Sequence, residues 1–222
     1  MAANIMHLPL VTSTGKATSL AAFHGKILMI SDVMTLCQET CPLDTANLVQ
    51  TARELDKAGQ RKNVEFLSIT FDPARDTPAQ LAAYRKLYAP PPANWTLLTG
   101  TPTDIATLWK YLGLWYQKVP QGKPPATNWR TGKPLTYDLN HADVLYFVDG
   151  TGHKRFDITG PADIPPGTRL PKTMRGYLDA EGVGALKHPN GDTWTPKQAL
   201  DVLRWLLNHT TTTAADTGGA PD

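Results

Sequence analysis

The sequence predicts an α/β domain in which a central mixed sheet is flanked by helices. Three observations predict it. Short, strongly apolar runs of strand length recur at Lys26–Met34, Asn63–Asp72 and Asn94–Gly100. Segments with apolar residues at helical spacing separate and follow them. The only two cysteines of the 222-residue chain, Cys37 and Cys41, stand where the first of these strands turns into a helix.

Each element has its own signal. A short β-hairpin is expected ahead of the first central strand, "KILMISDVM". Pro42 opens a helix in which Leu48, Val49, Ala52 and Leu55 share a face, and Gly59 ends it. "NVEFLSITFD" is a second buried strand, rich in β-formers. Thr77-Pro78 starts the next helix, and Pro90, Pro91 and Pro92 stop it. "NWTLLTG" is a third strand, and a helix with Thr101 or Thr103 as cap follows. From Trp115 to Leu139 the chain is polar, rich in Pro and Gly, and without sustained period, so a long loop insertion is expected. "ADVLYFVD" and "HKRFDITG" flank "GTG" as a hairpin. An irregular, proline-rich stretch then leads to a last amphipathic helix capped near Thr195. Two strand–helix–strand units imply right-handed crossovers and helices on both faces. Two sulfurs at the carboxyl end of the first central strand make the plan similar to the thioredoxin-like architecture. The expected organisation is one domain over 1–209, with its core at about 20–160, the insertion at 115–139 and a C-terminal extension over 161–209. The low-complexity residues 210–222 are expected to be a disordered tail.

Composition narrows the function classes. A hydrophobic fraction of 41% supports a core without disulfide staples. Net charge is +2 with the basic residues dispersed, which gives nucleic-acid binding no footing. No run is long enough to span a membrane, and "MAANIMHLPL" lacks the charged start and apolar stretch of a secretory signal. That leaves a cytosolic protein, or a soluble part whose export signal or anchor has been removed.

The cysteine turn has three readings. Pro42 sets the regular helix start near Cys41 and leaves Cys37 on the preceding loop. The positive end of the helix dipole favours thiolates there, and one sulfur is expected to be exposed. A structural disulfide would close only a five-residue loop and remove little chain entropy. A reversible dithiol and a soft-metal site for Cu(I) or zinc both stay open. A metal needs further ligands. Of the six histidines (His7, His24, His141, His153, His188 and His209), His141 is of interest, because it stands where the polar insertion enters an apolar strand. A solvent-facing loop histidine is the alternative.

Three segments then carry a resemblance. "CQETCP", "ITFDPARDTPAQLAAY" and "HADVLYFVDGTG" are similar, in the same order, to the C-x-x-x-C-P, D-P-x-R-D-T-P and histidine–strand motifs of the Sco/SenC family. These are thioredoxin-like copper chaperones of cytochrome c oxidase assembly. The resemblance implies copper, as Cu(I) or Cu(II), held by Cys37, Cys41 and His141. Asp72 matches a family acid near the site and is a candidate to support the ligands from outside; a role in the turn before the helix is the alternative. Arg75 and Asp76 are expected to fix that turn by local pairing. The resemblance further implies an extracytoplasmic protein tethered to a membrane through an amino-terminal anchor absent from this chain; a monomer is expected. Its partners would be the copper-site subunit of the oxidase and other copper chaperones. It implies a carrier more than an enzyme, with thiol–disulfide exchange on a partner's cysteines as the alternative. The chain departs from the family in "SDVMTLCQET", where an aromatic lead and a Pro-Asp after the first cysteine are usual. Met34 in that stretch is read as core filler, with a thioether near the metal as the alternative.

Overall fold

The computed structural model describes residues 1–187 and 194–210. A short helix α1 (Ala3–Met6) precedes the hairpin of β1 (Leu10–Thr12) and β2 (Ala17–Thr18). Strand β3 (Ile27–Val33) is buried along its whole length and leads through the cysteine loop into α2 (Cys41–Lys57). Strand β4 (Val64–Thr70), equally buried, is followed by α3 (Pro78–Leu87). Strand β5 (Trp95–Thr99) is followed by α4 (Pro102–Leu112). Thr77 and Thr101 each accept a backbone N–H of the first helical turn, and Gly113 closes α4 in the left-handed conformation that glycine adopts without cost.

Strands β3, β4 and β5 are parallel and central, which is why they read as near-continuous apolar runs. Strand β1 extends the sheet antiparallel beyond β5. On the other side β3 pairs with β8 (Val144–Val148), and β8 pairs with β9 (Lys154–Thr159), both antiparallel. The seven strands stand in the order β2-β1-β5-β4-β3-β8-β9. This is the expected mixed sheet of thioredoxin-like type.

Alternation along β3 divides the core in two. Ile27, Met29 and Val33 pack with α2, α3 and the last helix, α7 (Pro196–Thr210). Leu28 and Ile30 pack on the opposite face with α4, and this second cluster also contains Met34, Cys37 and Cys41.

Besides α1, the sequence reading misses three features. The ends of the expected insertion form a two-stranded ladder, β6 (Tyr116–Val119) against β7 (Asp138–His141), and only the stretch between them is loop. Four-residue strands with half-exposed faces carry too little alternation to be legible. The proline-rich stretch holds α5 (Lys172–Tyr177) and α6 (Ala180–Lys187), each too short to show a helical period. Thr195 caps α7 as expected, through Gln198 N at 3.3 Å. His188 and, apart from Thr210 at the end of α7, the expected tail lie outside the described residues.

Candidate metal centre

Cys41 begins α2, with Pro42 in its first turn, and Cys37 sits on the loop before it. Thr35, at the base of that loop, donates its backbone N–H and hydroxyl to the buried Asp76 carboxylate, which also accepts from the Thr70 hydroxyl. Asp76 thus ties the cysteine loop to the end of β4, a longer reach than the local pairing the sequence implies.

His141 is the last residue of β7, in register with Tyr116 of β6. Its ring lies 4.5 Å from that of Phe71, centroid to centroid. Only 7% of its side chain is exposed, so the solvent-facing alternative is excluded. The ladder brings Nε2 to 3.7 Å from the Cys41 sulfur. The donor atoms of Cys37, Cys41 and His141 all lie within 4.8 Å of one another.

Both cysteines are buried, Cys37 at 4% and Cys41 at 2% exposure, which corrects the expectation of one exposed sulfur. The helix start does not project into solvent; it is covered. The two thiols are free and divide their protons unequally. A hydrogen bond from Cys41 holds Cys37 well below the usual thiol range against the opposing effect of burial, with His141 assisting. The same bond, with burial, pushes Cys41 up. Both shifts run in the direction that favours a Cys37 thiolate accepting a hydrogen bond from the Cys41 thiol.

On the far side of the imidazole are two carboxylates the sequence reading did not select. Asp32 Oδ2 lies 3.2 Å from His141 Nδ1, and Asp143 Oδ1 lies 3.6 Å away. Burial disfavours the charged ring, but Asp32, Cys37 and Asp143 outweigh it and push its pKa up to about 12. Asp32 also accepts from Val144 N at 3.0 Å, so its own position is set by the β3–β8 pairing. A legible signal existed: an acid within an otherwise apolar buried strand needs a partner. A carboxylate on the outer nitrogen of a ligating histidine fixes its orientation and tautomer. Asp32→Asn is expected to lower metal affinity about 10–100-fold, the usual effect of losing such a partner. Competition against a chelator of known affinity measures it, and an unchanged affinity would remove Asp32 from the site.

Asp72 is placed differently. Its carboxylate is held by Arg75 and by the Tyr137 hydroxyl, and it is not among the acids that reach His141. Arg75 stacks on the Tyr137 ring and donates to the Met34 sulfur at 3.1 Å. Met34 is buried in the cluster around the cysteines. Asp72 reaches the site indirectly, through Arg75, Met34 and Tyr137 and, by its backbone carbonyl, through Asp76.

Two thiol sulfurs and an imidazole form a soft, three-donor set, which suits Cu(I) well and Cu(II) or zinc with an added ligand. Residues 4–164, well over half of the chain, match the model of the SCO1/SenC family. The protein belongs to the SCO1/SenC family. A protein of Stutzerimonas stutzeri, named as a candidate copper-binding protein, is 29% identical over 177 residues, 80% of this chain and 78% of its own length. The human mitochondrial SCO1 homolog is 24% identical over 143 residues, 64% of this chain. That stretch is 43% of the human protein, so the chain spans less than half of that relative. The copper-bound crystal structure of yeast Sco1 superposes with a TM-score of 0.62 at 19% identity, covering 95% of this chain and 93% of the other. At that identity the likeness establishes the shared fold. Among the described residues, no helix is long and apolar enough to cross a membrane.

Proposed function

We propose that this SCO1/SenC protein carries copper through Cys37, Cys41 and His141 and delivers it to the copper-site subunit of cytochrome c oxidase during assembly. The observation that carries the reading is the convergence of two sulfurs and the His141 imidazole within 4.8 Å, from three separate elements. Copper is cargo in this reading, so its ligands must be soft and few enough to be displaced one at a time by an incoming thiolate. A closed four-ligand cage would hold the ion instead. The copper-bound structure of yeast Sco1, and a related Sco protein described as a member of a family of cytochrome c oxidase assembly proteins, add support. Mitochondrial and lipoprotein relatives support a place outside the cytoplasm at a membrane, and we read the protein as a monomer that also meets other copper chaperones.

Thiol–disulfide exchange has one observation in its favour, the depressed Cys37 thiol. Burial of both sulfurs weighs against free exchange with small disulfides. The functional test mixes copper-loaded protein with the metal-free copper-site domain of the oxidase subunit. Copper is expected to move to that domain, read as the growth of its visible spectrum. Retention of all copper by this protein, with both partners reduced, would reject delivery.

A further inference from the structure

The chain beyond residue 164 lies outside the family match, yet part of it packs directly on the cysteine loop. Tyr177 donates its hydroxyl to Leu36 O at 3.2 Å. Gln38 Nε2 donates to Tyr177 O at 2.9 Å, and Asp179 N donates to Gln38 O at 3.0 Å. These bonds join residues 36–38 to residues 177–179. The next helix comes closer still. A Cβ on Gly182 of α6 would lie 2.5 Å from the Gln38 carbonyl oxygen and 3.0 Å from that of Glu39. Only a residue without a side chain fits against this backbone. Asp179 Oδ1 accepts from Gly182 N at 2.9 Å and fixes the first turn of α6 in that place.

We propose that residues 172–187 form a cover over the cysteine loop, which decides what reaches the Cys37 and Cys41 sulfurs. A metal donor or acceptor bearing its own thiolates must displace this cover, or dock on it, before it can exchange ligands. Helix α5 is anchored in the core by Met174 and Tyr177, so the part of the cover that can be displaced is α6. Gly182 is its one buried residue, with Ala185 and Leu186 only part-buried against the core. Segments held in this way open at lower free energy than a core. The proposal rests on Cys37 and Cys41 being the working pair, and not on which metal they carry.

Two glycines of the same helix provide the test. Gly182→Ala places a methyl group into the Gln38 carbonyl, whereas Gly184→Ala places it in open space. Both gain the same intrinsic helix propensity, so only the contact differs. The readout is alkylation of reduced, metal-free protein by iodoacetamide, in which the thiolate displaces iodide and forms an S–C bond. Mass spectrometry follows each cysteine. Gly182→Ala is expected to react roughly tenfold faster than the unaltered protein, as local opening permits, while Gly184→Ala matches it. Equal rates in all three proteins, or equal acceleration by both variants, would overturn the proposal. If Gly182→Ala loses its helical circular dichroism, Tyr177→Phe replaces it, since it removes only the bond to Leu36 O; a rate no faster than the unaltered protein's then overturns the cover. Acceleration in a protein that takes up no copper would leave the cover standing and reject the cargo.

Discussion

Reduced protein is expected to take up one copper ion, and protein in which Cys37 and Cys41 are joined as a disulfide none. The two sulfurs already lie within 4.8 Å of each other, so oxidation needs only a small closure of the loop. A disulfide sulfur has no negative charge to donate, and the thiolate is the strong ligand. What remains is a single imidazole backed by two carboxylates, a hard and weak site for Cu(I). Metal analysis after desalting, before and after treatment with a mild oxidant, gives the stoichiometry directly. Equal copper in both forms would take the cysteines out of the site.

Replacing His141 by Ala is expected to separate the two oxidation states of copper. Cu(I) accepts two thiolates in linear coordination, so its binding should weaken and remain measurable. Cu(II) prefers tetragonal surroundings with imidazole and oxygen donors. Its affinity should fall by more than about 100-fold, the upper end of what loss of an outer partner costs, and the thiolate-to-copper absorption should shift or vanish. Protons give a second readout. In the metal-free state Cys41 is a thiol and the His141 ring is charged, with a pKa of about 12. Ligation by both must displace both protons, so uptake near neutral pH should release one proton fewer in the variant. The affinity of the unaltered protein should accordingly rise with pH. His209, which binds the Trp205 carbonyl at the end of α7, provides the control, and His209→Ala should change neither spectrum nor proton count. An unaltered Cu(II) spectrum and affinity in folded His141→Ala protein would reject the third ligand.

The carboxylates complicate that variant in an informative way. Asp32 and Asp143 are mostly buried and stand close to the same ring, and burial already pushes Asp143 up to about 7. Without the imidazolium they face each other with less compensation, so some loss of stability should accompany the loss of copper. His141→Ala combined with Asp32→Asn removes one of the charges and isolates the ligand effect.

Much of this protein was settled by local chemistry alone. Pro42 after Cys41, Thr77 and Thr101 as caps, and Gly59 as a stop each act within one helical turn, so their effect is legible without knowing the fold. The apolar runs of β3, β4 and β5 reveal central strands because burial on both faces leaves no polar alternation. The spacing of Cys37 and Cys41 places two sulfurs on one turn whatever surrounds them. Tertiary structure decided the rest. The β6–β7 ladder that aims His141 is too short to carry a pattern, and its pairing depends on the sheet to which it is joined. Asp32 meets His141 only because the β3–β8 register and that ladder bring distant residues to one place. Asp72, selected for its motif, turned instead to Arg75 and Tyr137. The burial of both sulfurs depends on packing around the loop, which no local signal at Cys37 or Cys41 reports. Secondary structure follows from interactions over a few residues, whereas the surroundings of a side chain follow from contacts that exist only once the chain has packed.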